Sequence, residues 1–154
     1  MININEAQDI ISKNNPSAYY DTYKKYENLY WEYIPNWISR YSKTNKVENV
    51  LDIGIAYGTL GIFTKLNTGC NLYGIDFMKY MPDELINNYN IDYRINNIET
   101  DDIKYDCKFD IIIFTEILEH LNFNPILTLN KIKNMMIDGG CLFLTTPDAE
   151  SAWG

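Results

Sequence analysis

Two periodicities divide the chain. Over the first 46 residues, aromatic side chains recur at Tyr19, Tyr23, Tyr26, Tyr30, Tyr33, Trp37 and Tyr41. That spacing of three or four lines them along one helical face. Pro35 falls inside the stretch and predicts a kink or a split, since proline removes a backbone donor and crowds the preceding turn. The expected result is a helical cap, residues 1–46, laid over a sheet with tyrosine hydroxyls at its rim. A sharper reading makes some of the tyrosines a lid over a ligand. From residue 47 onward, short apolar runs alternate with amphipathic ones. Residues 47–53, 71–75, 93–95, 109–114 and 141–145 read as strands. Helices are expected over 59–66, from near Pro82, and from Pro125 behind an Asn124 N-cap. Asp138-Gly139-Gly140 predicts a turn into the last strand. The run FDIIIF (residues 109–114) is apolar on both faces, as the centre of a parallel sheet requires. Alternation of this kind predicts a doubly wound α/β domain over residues 47–154.

Composition narrows the field. The 154 residues suffice for one domain with a core. A formal net charge of -8 would repel a phosphate backbone, so no nucleic-acid partner is expected. The longest wholly apolar run at the sheet centre, residues 111–114, is far too short to cross a bilayer. The N-terminal MININEAQDI lacks the basic-then-apolar form of a signal peptide, so a cytoplasmic location without a membrane partner is expected. Cys70, Cys107 and Cys141 are widely spaced and read as free core thiols, and His120 is the single histidine.

The candidate chemistry begins at VLDIGIAYGTLG, residues 50–61. A strand runs through Asp52 into Gly54, Ala56, Tyr57 and Gly58 and then directly into a helix. Small residues at 54, 56 and 58 allow close backbone approach to a ligand, and the helix N-terminus offers free amide donors. A dinucleotide loop has this shape, but the Asp52 carboxylate would repel a pyrophosphate and attract an ammonium and a sulfonium. The loop therefore favours S-adenosylmethionine over NAD. Asp76 ends the neighbouring strand with two acceptor oxygens suited to ribose hydroxyls, and Phe77 and Met78 follow as candidates to flank an adenine ring.

These residues resemble the class I S-adenosylmethionine-dependent methyltransferase family over residues 47–147. VLDIGIAYG looks like its glycine-rich motif and YGIDF like its acidic ribose motif. FDIIIFTEILEHL resembles the central strand with its following loop, and GGCLFLTTPD the fifth strand. The wording is most similar to the ubiquinone-biosynthesis O-methyltransferase subgroup. The resemblance implies a Rossmann-like sheet of order 3-2-1-4-5. It places the adenine position on Asn96, Asn97 and Ile98, with Asn97 on the amino group and Ile98 on the ring face. Thr115 and Glu116 would line the methionine end. The family's sixth and seventh strands have no counterpart before Trp153-Gly154. The expectation is a fragment, a fold completed by a second copy or partner chain at the open edge, or a minimal fold covered by the aromatic segment.

Methyl transfer needs a base only when the acceptor must lose a proton. Glu116, Glu119 and His120 are the clustered candidates, with His120 the natural proton carrier near neutral pH and Glu116 beside it. Alternatively, Glu119-His120 merely starts the next helix. The same run is similar to the ligand set of small-RNA 3′-terminal 2′-O-methyltransferases, but the further histidine those enzymes use is missing, so no metal site is expected. The leading expectation is methylation of an oxygen or nitrogen on a small-molecule acceptor. The alternative is a non-catalytic cofactor-binding module acting through a partner.

Overall fold

The structure, a computed structural model, describes residues 1–15, 18–148 and 150, with the side chains of Ala18 and Tyr19 outside that description. Five strands, β1 Asn49–Ile53, β2 Asn71–Asp76, β3 Ile91–Ile95, β4 Phe109–Thr115 and β5 Met136–Thr145, form one sheet in the order β3-β2-β1-β4-β5. Every pairing is parallel. All seven residues of β4 are buried, which is why its sequence shows no alternation. The strand order reverses between β1 and β4, and in open α/β sheets ligands bind beyond the strand ends at such a point.

Two apolar clusters cover the two faces. On one, α1 Ile4–Asn14, α2 Ala18–Tyr30, α3 Ile34–Thr44, α4 Thr59–Thr68 and α5 Asp83–Asn88 contribute to a core holding Ile11, Tyr20, Ile38, Val50, Ile62, Leu85 and Ile113. Residues of the first 46 thus share a continuous core with β1 and β4. On the other face, Leu51, Ile53, Ile98, Phe109, Ile112 and Phe114 pack with Ile132 of α6, Pro125–Met135. Between β3 and β4 no helix forms. Instead the Lys131 ammonium of α6 donates to the carbonyls of Ile98 (2.7 Å), Glu99 (3.2 Å) and Asp101 (3.0 Å), fixing that connection to the sheet.

Three local expectations change. The aromatic stretch splits at residues 31–33, with Pro35 in the first turn of α3, as proline predicts. Only part of its aromatic stripe faces the core, however: Tyr23 and Tyr41 pack against it, Tyr26, Tyr30, Tyr33 and Trp37 are exposed, and Tyr20, Glu27, Ile34 and Ile38 are buried. The break shifts the helical phase, and a hydroxyl–carboxylate pair serves as the inward face of α2. Asp138-Gly139-Gly140 is not a turn before β5 but an irregularity inside it, where the β4–β5 register shifts. Gly139 has φ +80° there, and its carbonyl accepts from the Tyr41 hydroxyl (3.2 Å). Finally, β3 begins earlier than residue 93, at Ile91, which is buried against Leu72 of β2.

Candidate functional site

A cavity of about 550 Å³ opens at the β1/β4 reversal. Its walls bring together Asp52, Gly54, Ala56, Tyr57, Asp76, Phe77, Asn97, Ile98, Thr115, Glu116 and His120 from four separate stretches of sequence. Gly58 is absent from this lining: it is the left-handed N-cap of α4 (φ +91°), buried beneath Met81. Its part is therefore to turn the chain into the helix, a conformation that glycine adopts without strain. Gly54 (φ +73°) meets the cavity directly, and a Cβ there would collide with Ile117.

The loop between Gly54 and Gly58 is held by carboxylates. One Asp76 oxygen accepts from the Ala56 amide (2.9 Å), bracing a non-glycine residue at φ +46°, and the other accepts from Met78 (3.4 Å). Burial raises the Asp76 pKa above the usual carboxylate value, and these amides oppose the shift. Asp52 is only 4% exposed. Burial, then the Asp76 charge, push its pKa up to about 7, against a bond from the Gly61 amide in the first turn of α4. Asp52 therefore satisfies a helix N-terminal donor as well as facing the cavity, a duty its position in the sequence does not reveal.

The positions expected on the adenine side differ from one another. Ile98 is buried in the lower core while lining the cavity. Asn97 is exposed, and its side-chain oxygen accepts from the Glu99 amide (2.9 Å), closing a local turn. Phe77 is 64% exposed at the mouth, with its ring edge toward Tyr80 (6.4 Å between centroids). Glu99, a residue the sequence reading passed over, accepts from the amides of Asn122 (2.9 Å) and Phe123 (2.9 Å), so it ties the loop after β3 to the loop after β4. These backbone bonds hold its carboxyl below the usual range.

Across the cavity, Glu116 (φ +55°) follows β4, its amide bonded to the Thr145 carbonyl (3.0 Å). A positive φ at a non-glycine residue is uncommon, and here it aims a half-buried carboxylate at the cavity. Burial holds the Glu116 carboxyl above the usual range. His120 ends the short 3-10 helix Leu118–His120, its side chain 75% exposed and its Nε2 3.9 Å from Glu119 Oε1. Among the described residues no cluster of three or more His, Cys, Asp or Glu is arranged to hold a metal ion. The opposite wall is aromatic. Tyr57 packs against Tyr20 (5.0 Å), Tyr23 (5.2 Å) and Tyr80 (5.9 Å), and Trp31 joins Tyr23 from the N-terminal segment. Tyr23 belonged to the predicted stripe; Trp31 and Tyr80 did not, because they sit in turns with no periodicity to mark them.

An open parallel sheet with two acidic strand ends and a glycine-turned loop at its reversal defines a nucleoside-binding α/β domain. A family model described as a methyltransferase domain matches residues 23–154, and the chain belongs to that family, a class I S-adenosylmethionine-dependent methyltransferase family. Among curated proteins none matches the chain. Solved structures of similar fold include a coclaurine N-methyltransferase bound to N-methylheliamine and SAH, at 22% identity and TM-score 0.60, covering 72% of this chain and 34% of that one. A plantazolicin methyltransferase in complex with a pentazolic analogue and SAH is 17% identical with TM-score 0.61, over 94% of this chain and 61% of that one. The N-methyltransferase NodS from Bradyrhizobium japonicum WM9, in complex with SAH, is 20% identical with TM-score 0.60, over 90% and 71%. This chain thus spans less than two thirds of the length of the first two. The ubiquinone-type subgroup finds no specific support among these matches.

Proposed function

We propose that the chain binds S-adenosylmethionine at the β1/β4 reversal and methylates a small-molecule acceptor at a basic nitrogen. The residues fit such a cofactor: the cradle at Gly54 has no room for a Cβ, and the Asp52 and Asp76 carboxylates face a ligand that carries an ammonium and two ribose hydroxyls. Asp76 would take the ribose, Phe77, Asn97 and Ile98 the adenine, and Asp52, Ala56, Tyr57 and Thr115 the methionine end. When bound, the sulfonium supplies an electrophilic methyl group for in-line displacement, a reaction governed by how the acceptor is held.

The observation that carries the choice of nitrogen is the charge of the cavity wall. It bears Asp52, Asp76, Glu99 and Glu116, with no Lys or Arg among the described lining residues. An acidic, aromatic-walled cavity attracts a protonated amine through charge and through ring faces such as Trp31. The amine must shed its proton before it can attack. The cavity-facing Glu116 carboxylate, its proton affinity raised by burial, can accept that proton, and exposed His120 lines the same cavity.

Calorimetric titration with S-adenosylmethionine, S-adenosylhomocysteine and NAD tests the cofactor, using wild type and Asp76→Ala. Binding of the first two, lost in the variant, is expected; NAD binding alone would overturn the reading. A panel of amines and phenols, scored for S-adenosylhomocysteine release, tests the acceptor. Turnover confined to phenols would exclude the nitrogen assignment. Glu116→Gln is expected to lower turnover about 10²-fold, in the range of general base catalysis, with cofactor affinity kept.

A further inference from the structure

Next to the ligand loop but outside the cavity lining lies a buried polar cluster that the methyl-transfer reading does not use. Glu27 of α2 is 1% exposed. One carboxylate oxygen accepts from the Thr59 hydroxyl (2.8 Å); the other accepts from the Gln8 amide (3.0 Å) and the Tyr20 hydroxyl (3.2 Å). The Tyr20 and Thr59 hydroxyl oxygens also stand 3.0 Å apart, so either can turn its single proton to the other instead of to Glu27. The donors come from α1, α2 and the first residue of α4. Three neutral donors converge on a carboxylate in the core, where an apolar side chain would fill the space without the cost of desolvating a charge. What a carboxylate adds is direction, because its acceptor sites fix where each donor must stand.

Those positions matter because of what is attached to them. Thr59 directly follows Gly58, so it pins the exit of the ligand loop. Tyr20 lies against Tyr57 within that loop (5.0 Å between centroids), and Tyr23, one turn further along α2, packs on the same ring (5.2 Å). The Glu27 carbonyl accepts from the amide of Trp31, a further aromatic of the cavity wall (2.9 Å), which carries α2 into the turn after it. We propose that Glu27 is a positioning residue: its buried carboxylate docks α2 on the first turn of α4 and thereby sets both the ligand loop and the aromatic wall of the acceptor side. The proposal rests on the cofactor reading for its effect on affinity, but its effect on the loop is independent of any ligand.

The test compares wild type with Glu27→Ala, Glu27→Gln and Thr59→Val, with Ile132→Ala on the opposite face of the sheet as a control for lost stability alone. Two readouts are taken: hydrogen exchange of amides 54–61 in the ligand-free protein, and the dissociation constant for S-adenosylhomocysteine. Glu27→Ala is expected to speed exchange over 54–61 and to raise the dissociation constant about tenfold. Glu27→Gln keeps an acceptor oxygen for Gln8 and Tyr20 and gains a donor for Thr59, so it should stay within about threefold of wild type. Ile132→Ala should give no acceleration over 54–61 beyond that of the rest of the sheet; its dissociation constant is not a control, because Ile132 packs with Ile98. A folded Glu27→Ala with wild-type exchange over 54–61, or an Ile132→Ala control with the same acceleration, would overturn the assignment. Should Glu27→Ala fail to fold, Thr59→Val, which removes only the hydroxyl bridge, decides in the same way. If wild type binds no S-adenosylhomocysteine, the proposed function falls while the exchange arm still judges Glu27.

Discussion

Asp52 and Asp76 end adjacent strands, yet burial treats them differently. Asp76 keeps one oxygen on the Ala56 amide and the other on Met78, whereas Asp52 is fully enclosed with a pKa near neutrality, pushed up to about 7. The sign of its linkage follows. An acid whose folded-state pKa lies above its unfolded value near 3.8 makes the folded chain bind the extra proton, so stability declines as pH rises through the interval up to about 7. The ceiling on that loss is about 4 kcal/mol, at about 1.4 kcal/mol per pKa unit. Asp52→Asn retains an acceptor for the Gly61 amide and removes the titration. Thermal unfolding at pH 5.5 and pH 8 should therefore show a smaller drop in the variant than in wild type. An unchanged drop would place the cost elsewhere.

At the scale of elements, the strands and the helices between them are legible because each depends on a short local pattern. β4 reads as central from its unbroken apolar run, and α6 starts where Asn124 and Pro125 say it should, with the Asn124 side chain accepting from Ile126 (3.0 Å). The first helix is also written locally, in Asn3 and Glu6. Their side chains exchange bonds with each other's amides (3.0 and 2.7 Å), a capping box that the aromatic repeat drew attention away from. Much of the candidate site was equally readable, since acidic strand ends and small loop residues announce themselves. Glu27, Trp31, Glu99 and Lys131 could not be found this way: each gains its role from partners distant in sequence or sits outside any periodicity. Lys131 shows the consequence. Replacing it with Met removes three charge-assisted donations to the connection after β3 and should cost about 2 kcal/mol in urea unfolding. Cofactor affinity should fall with it, because Ile98 and Asn97 lie in that connection.

For the whole molecule, charge and topology act together. A net charge of -8 combined with an acidic cavity favours cationic ligands at long range. S-adenosylmethionine carries one more positive charge than its demethylated product. Raising ionic strength from 0.05 to 0.5 M should therefore narrow its advantage over S-adenosylhomocysteine by about two- to threefold in calorimetry, as expected when screening shortens to a few ångströms. No helix among the described residues is long and apolar enough to cross a membrane. The Glu99 carboxylate has a consequence at this scale as well. It belongs to the loop after β3, the proposed adenine side, yet it grips the Asn122 and Phe123 amides just past His120 (2.9 Å each). Whatever settles the adenine loop also settles the rim across which an acceptor must pass. Under the proposed function, that coupling predicts a compulsory order of addition, cofactor before acceptor. S-adenosylhomocysteine should then inhibit competitively toward S-adenosylmethionine and non-competitively toward the acceptor, and Glu99→Ala should relax that order toward random.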